Sequence, residues 1–370
     1  GATVITNLDH LPEGILIWRS LLQWFGGIGI IVLALAILPT LQIGGMQLLH
    51  MEHDDPYEKT IPKINQFVLE IILLYIFLTF FCSIFYFLSG MNGFESIAHS
   101  MTTISTGGFS TNDDSFKSFY NFNIELTAIA FMIVGSLPFV IFLKTIHGDW
   151  KSLFSDDQIK LFFLLILILT SLMAYWLINE YNYSIIDSIK LSSFNIISIL
   201  TGTGYTSSNF NMWGGFGLII MFIIMFIGGC AGSTTGGVKI FRLQLLFRGA
   251  QTQIKKLIQP HGVFVATFNQ KSVSEDTFNS IMGFFFMYIL IFFLGSIVLS
   301  FFGLDFLTAI SASASAISNV GPGLGNLIGP NGNYNSLPLE SKWVLSLLML
   351  IGRLELLTFL VLLSIPFWKK

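Results

Sequence analysis

Charge is what this sequence has least of. Asp, Glu, Lys and Arg make up only 11% of its 370 residues, which all but excludes a large soluble α/β domain. Cysteine is nearly absent too. Cys82 and Cys230 both lie in apolar runs, which argues against a disulfide framework or a zinc cluster. No Ser/His/Asp or metal constellation emerges among the scattered histidines, so the sequence offers no enzyme chemistry and no covalent cofactor. A net charge of -3 says little about partners, and nothing calls for nucleic acid. The chain has no secretory signal and no initial Met; it starts part-way through a repeat, and is expected to be a piece of a longer protein.

Apolar length is what it has in abundance. With 53% hydrophobic residues, 38 Phe and a mean hydropathy of +0.75, it reads as a polytopic helical protein of a lipid bilayer. Its most informative stretch is polar. Ile199 to Ser208 reads Ile-Leu-Thr-Gly-Thr-Gly-Tyr-Thr-Ser-Ser and follows a short segment, residues 185–198, suited to a half-membrane helix. Polar backbone at membrane depth is tolerated only inside protein or around a watery cavity, and a cavity lined by carbonyls is an ion site. Gly202 and Gly204 reach dihedrals that turn successive carbonyls the same way.

The pattern recurs. Residues 94–105 open into Thr106-Gly107-Gly108-Phe109-Ser110, and residues 305–318 into Asn319-Val320-Gly321-Pro322-Gly323. The opening Gly1-Ala2-Thr3 resembles a fourth copy cut at its glycine. Gly1, Gly108, Gly204 and Gly321 are 107, 96 and 117 residues apart, which argues for internal duplication. The expected units are residues 1–58, the second half of repeat 1; 59–150, repeat 2; 151–256, repeat 3; and 257–370, repeat 4.

Long spans are expected at 16–41, 64–89, 124–142, 161–178, 278–302 and 344–366. Gly26, Gly27 and Gly29 suit close helix packing in the first, and Gly135 with Pro138 predicts a kink in the third. A span beginning at Phe216 is interrupted after about twelve residues, too early to have crossed at ~1.5 Å per residue. The interruption is Gly228-Gly229-Cys230-Ala231-Gly232-Ser233-Thr234-Thr235-Gly236-Gly237, and a polar loop inside the membrane is favoured over a plain kink at its edge. Residues 238–247 look helical again. Lys239, Arg242, Arg248, Lys255 and Lys256 form the densest basic run, so this face is cytoplasmic by the positive-inside rule and the filters enter from outside.

Arg353 is expected near the middle of the last span, where a charge is a functional hypothesis by default; the bland alternative is an ion pair with Glu355 or Glu125. His50 and His53 could share a helix face and bind a metal, but a solvated loop is the preferred reading. His99, in a half-helix, is expected to pack or hydrogen-bond internally. Four half-helices aiming their C-terminal ends at one axis favour a cation there. With no carboxylate at the glycine positions, that cation is monovalent, and Thr3, Thr106, Thr201, Thr203 and Ser318 offer hydroxyls to supplement the carbonyls or brace the turns.

These stretches resemble the Trk/Ktr/HKT superfamily of potassium uptake proteins, above all its bacterial Trk-type membrane subunit. The matching segments are residues 19–39 (RSLLQWFGGIGIIVLALAILP), 105–111 (STGGFST), 202–207, 226–242 (FIGGCAGSTTGGVKIFR), 318–323 (SNVGPG) and 350–355 (LIGRLE). The resemblance implies an all-α membrane protein with pseudo-fourfold helix, pore-loop, helix repeats around one central ion pore. It implies K⁺ as transported ion, in a multi-pass protein of the bacterial cytoplasmic membrane, with uptake passive or weakly coupled by symport. By position, the filter would comprise Gly1, Ala2, Thr106, Gly107, Gly108, Gly202, Thr203, Gly204, Asn319, Val320 and Gly321. Residues 228–237 would be the intramembrane gate, with Arg353 narrowing the pore at that level. Also implied is a homodimer docked on a cytoplasmic nucleotide-binding regulatory subunit, with segments 239–256 and 41–60 as candidate contacts. Two alternatives stay open: sodium or mixed cation transport on the same architecture, and, more distantly, an intramembrane lipid-modifying enzyme.

Overall fold

A segment inside a bilayer must satisfy its own backbone, and a helix does so within one element. The computed structural model is accordingly almost all helix; it describes residues 2–32, 62–269, 271–354 and 356. Among the described residues four helices are long and apolar enough to cross a membrane: α1 (Glu13–Val32), α2 (Pro62–Leu88), α7 (Asp157–Tyr181) and α11 (Glu275–Phe301). A fifth crossing is broken. The kink expected near Pro138 is a 91° turn between α4 (Phe122–Ser136) and α5 (Phe139–Ile146), because Leu137 and Pro138 both leave the helical region. A short helix, α6 (Lys151–Ser155), leads into α7.

Between the spans lie three half-helices: α3 (Gly93–Ile104), α8 (Ile185–Leu200) and α12 (Phe306–Ser318), of 12, 16 and 13 residues. Each starts on a polar side chain that accepts a backbone N–H three residues on: Asn92 from Glu95, Ser184 from Asp187 and Asp305 from Thr308. Such caps fix where each half-helix begins, and so where its C-terminal end stops. The last elements are α9 (Gly214–Met225), α10 (Ile240–Ile258), a ribbon of β1 (Thr267–Phe268) and β2 (Lys271–Ser272), and α13 (Leu339–Arg353).

In order, α2–α3–α4, α7–α8–α9 and α11–α12–α13 repeat one plan of helix, half-helix, helix, and α1 supplies the second helix of a further unit. The half-helices are the most buried elements and carry many hydroxyls, including Ser96, Thr102, Thr103, Ser192, Ser198, Ser311 and Ser315. Many phenylalanines and leucines of the long spans, such as Leu73, Phe80, Leu167 and Phe293, face outward, as a lipid environment allows. Of the three glycines expected to pack closely in α1, only Gly27 does: a Cβ there would lie 2.7 Å from Tyr75 Oη and 2.8 Å from Ser105 Cβ. Gly26 and Gly29 meet nothing within 4 Å among the described residues.

Candidate ion pore

Each half-helix ends in the same backbone turn. Thr106, Gly202 and Asn319 are left-handed, with φ of 48°, 68° and 57°, and two residues later Gly108, Gly204 and Gly321 have φ of 78°, 81° and 115°. Three different side chains therefore occupy one conformation at the first of these positions. A β-branched residue held there costs about 1–3 kcal/mol, so Thr106 persists because its surroundings fix it. Its Oγ1 donates to Ser105 O at 2.8 Å and meets Thr234 Oγ1 at 3.1 Å.

The turns turn their donors inward. Gly107 and Gly108 N–H groups both bond Thr102 O, Gly204 N–H bonds Ser198 O, Val320 N–H bonds Ser315 O, and Gly321 N–H bonds Ser315 Oγ. With the donors committed to the half-helices, carbonyls are left over. Among the described residues those of Thr106, Thr203 and Val320 accept no hydrogen bond. Neighbouring turns touch: a Cβ on Gly108 would fall 1.7 Å from Thr203 O, and one on Gly204 2.1 Å from Val320 O. The ring closes through the start of the chain. Ala2 packs on the core of repeat 4, Tyr334 N–H bonds Thr3 O at 2.9 Å, and Arg19 reaches from Thr3 Oγ1 (3.3 Å) to the ring of Phe109 (4.3 Å). Thr3, Gly108, Gly204 and Gly321 accordingly line one cavity at the mouth. Gly1 lies outside the described residues.

Hydroxyls brace the turns from behind. Thr201 Oγ1 pairs with Thr203 Oγ1 at 2.8 Å, Tyr288 Oη with Ser318 Oγ at 2.7 Å, and Ser198 Oγ donates to Tyr205 O at 2.6 Å. His99 is fully buried, its Nδ1 at 2.9 Å from Glu95 O and its Nε2 at 3.0 Å from Ser110 Oγ; it stands behind the turn, as the internal reading has it.

Below the turns lies the interruption. Gly228 N–H bonds Val238 O at 2.9 Å and Val238 N–H bonds Phe226 O at 3.0 Å, so Val238 pairs with Ile227 rather than opening the next helix. The two ends of the loop meet and the loop projects. Thr234 is at its tip, wholly buried, its Oγ1 within reach of Ile104 O (3.1 Å) and Gly135 O (2.9 Å). A Cβ on Gly236 would lie 2.4 Å from Ser318 O, and one on Gly202 would lie 3.8 Å from Gly236 N. The loop thus touches the undersides of all three turns. Its own shape is held by Gly229 N–H to Thr235 Oγ1 (3.0 Å), Ser233 Oγ to Cys230 O (2.6 Å) and a left-handed Gly237 (φ 69°); Gly232 O accepts Phe139 N–H at 3.0 Å.

Three cations attend the loop. Arg353 Nη1 donates to Thr234 O at 2.9 Å. It sits in the last turn of α13, whose C-cap is Leu354; Leu356 is helical again, and the rest of the expected span lies outside the described residues. Glu125 is at 3.6 Å from Lys190, while Glu355 lies outside the described residues. Lys239 Nζ folds back on Thr235 O and Thr235 Oγ1. Arg242, expected on an exposed basic face, is only 1% accessible, with its guanidinium 3.9 Å from the centre of the Phe284 ring. Segment 41–60, with His50 and His53, lies outside the described residues.

Comparison with known proteins places this geometry. The profile of the TrkH family, described as cation transport protein, matches residues 1–368. This chain belongs to the TrkH family. Its relatives include the Trk system potassium uptake protein TrkI of Halomonas elongata, 38% identical over all of this chain and 75% of the relative. TrkH of Escherichia coli is 35% identical over all of this chain and 77% of its own length. The crystal structure of the potassium transporter TrkH from Vibrio parahaemolyticus superimposes with a TM-score of 0.91 at 35% identity, covering all of this chain and 76% of that one. The pseudo-fourfold helical repeat is the TrkH fold, and the family is one of transporters and not of enzymes.

Two polar residues in the TrkH-family site escape a reading of the sequence. Gln158, at the start of α7, accepts the Ala231 N–H of the loop at 2.9 Å from a fully enclosed position. Gln23, in α1, bonds the second filter turn. Gln23 is a lone polar side chain within an apolar run, which is the signal the sequence carries for it; Gln158 stands in the polar stretch 155–160 and has no such signal.

Proposed function

We propose that the protein conducts K⁺ for uptake across the bacterial cytoplasmic membrane, through a filter made by the turns at 106–108, 202–204 and 319–321 and, at the chain's start, Gly1 and Ala2. The observation that carries this reading is the repeated left-handed pair in three turns whose N–H groups bind backward and leave the carbonyls of Thr106, Thr203 and Val320 without a donor among the described residues. Such carbonyls replace a hydration shell without a fixed negative charge, which suits a monovalent cation. The half-helix dipoles add partial negative charge at the same place. Relatives named for potassium uptake support K⁺ over Na⁺.

The loop at 228–237, held by Arg353, is the gate of this reading; its contacts with the undersides of the turns support that assignment. A homodimer and a cytoplasmic nucleotide-binding subunit complete the proposal, with the exposed end of α10 at Lys255 as a contact and Arg242 removed from it by burial. Uptake of ⁸⁶Rb⁺ and ²²Na⁺ into proteoliposomes holding the full-length parent, wild type beside Gly204→Ser, is the test. Rb⁺ uptake competed by K⁺ and altered by the substitution is expected. Equal Na⁺ uptake by the wild type moves the reading to sodium or mixed cations, and absence of both fluxes in the presence of the regulatory subunit overturns it.

A further inference from the structure

In the second, third and fourth filter turns the carbonyl before the final glycine belongs to Gly107, Thr203 and Val320. Two of these abut the glycine of a neighbouring turn, as the 1.7 Å and 2.1 Å approaches of virtual Cβ atoms on Gly108 and Gly204 show, and accept no hydrogen bond among the described residues. The third is treated differently. Gln23 Nε2 donates to Gly107 O at 2.7 Å, and Gln23 Oε1 accepts the Phe109 N–H at 3.0 Å. One amide therefore grips the backbone on both sides of Gly108. Its orientation is fixed, since the reverse would set oxygen against the carbonyl and NH₂ against the N–H.

Gln23 comes from a different repeat. It reaches the turn from α1, which packs against α3, and it fills the space beside it: a Cβ on Gly107 would lie 2.4 Å from Gln23 Cδ and Oε1. The three turns are thus not equivalent. At the junction between the first and second units, a side-chain amide holds the carbonyl, whereas Thr203 O and Val320 O accept no hydrogen bond among the described residues; Gly1, the glycine of the first unit, lies outside them.

We infer that Gln23 is a positioning residue for ion selection: it commits the Gly107 carbonyl and sets how far the second turn stands from the axis. The inference rests on the potassium-pore reading above. Selection between K⁺ and Na⁺ depends on the number and spacing of coordinating carbonyls, so releasing or displacing one of them changes the preference. Gln23→Glu keeps the shape and the acceptor for Phe109 N–H but replaces the donor with an oxygen that repels Gly107 O. Gln23→Met keeps the length and removes both bonds.

The experiment compares ⁸⁶Rb⁺ with ²²Na⁺ uptake for wild type, both variants and Gly283→Ala, in full-length protein reconstituted with equal lipid. Gly283 sits in α11 with nothing within 4 Å and serves as the control. The Rb⁺/Na⁺ ratio should fall about tenfold in both Gln23 variants, the factor that the net worth of one hydrogen bond converts to. A ratio cancels the quantity of folded protein, so a variant that folds poorly still reports. An unchanged ratio in both overturns the inference. A shift in Gln23→Met alone overturns the pinning of Gly107 and moves the effect to the Phe109 amide. Loss of both fluxes in variants that melt like wild type also counts against it, because Gln23 would then serve conduction and not choice of ion. A wild type that passes Na⁺ as well as Rb⁺ defeats the potassium reading instead.

Discussion

At Gly108 two constraints coincide. Its φ of 78° disfavours any L side chain, and its Cα faces the Thr203 carbonyl so closely that a Cβ would stand 1.7 Å from that oxygen. Backbone cannot retreat there without opening the neighbouring turn, so Gly108→Ala should cost at least ~2 kcal/mol of stability and abolish Rb⁺ selectivity. Thermal unfolding in detergent beside an uptake assay checks both; a variant that melts like wild type and still selects Rb⁺ contradicts the contact. Asn319 makes the complementary case. It is left-handed at φ 57°, yet its neighbour in the pattern is Gly202, so Asn319→Gly should keep the turn, with any loss arising from the side-chain bond from Nδ2 to Met349 O. The glycines of these turns were legible in the sequence because few other residues take that conformation. Thr106 was legible only by position, for nothing in a threonine announces a left-handed backbone; its partner Thr234 lies 128 residues away.

Elements were read with less uniform success, and the failures have causes. Half-helices could be recognised because 12 to 16 residues between glycine-rich turns are too few to cross a bilayer. The break after Met225 was visible in its glycines, but the pairing of Ile227 with Val238 that closes the loop was not, since it depends on where the chain returns. The expected kink at Pro138 underestimated a 91° turn, because Phe139 N–H finds Gly232 O in the loop and not a helical partner. That bond makes the loop a joint between repeats. Thr234→Ala removes contacts to the end of α3, to Gly135 and to the Thr106 hydroxyl while leaving the backbone bonds of the turns in place. Arg353→Ala removes a charged donor to the same residue, worth about 1.5–3 kcal/mol, and should raise flux without the regulatory subunit roughly ten- to a hundredfold. Flux equal to wild type in both variants rules out the loop as the gate.

Across the whole molecule, the N-terminus of α7 ties the loop to the middle of α10. Asp157 Oδ2 pairs with Arg248 at 2.8 Å, Asp156 and Asp157 both bond Asn269 beside the β ribbon, and Gln158 holds Ala231 of the loop. These ties differ in strength by environment. The Arg248 pair is a quarter or more exposed on each side chain and is worth about 0.2–1 kcal/mol, screened further by salt. Gln158 is 2% exposed, and deleting its carbonyl leaves the Ala231 N–H buried without a partner, a cost of about 1–3 kcal/mol. On the gating proposal, Gln158 is the stronger of these ties to the loop, and the ion pair mainly sets where α10 rests against α7. Gln158→Leu should then raise flux measured without the regulatory subunit several-fold, and Arg248→Ala should change it less than twofold at 150 mM salt. The opposite order of effects, with Arg248→Ala opening the pore and Gln158→Leu leaving it shut, would mean that α10 acts on the loop through Lys239 and its bonds to Thr235 and not through α7.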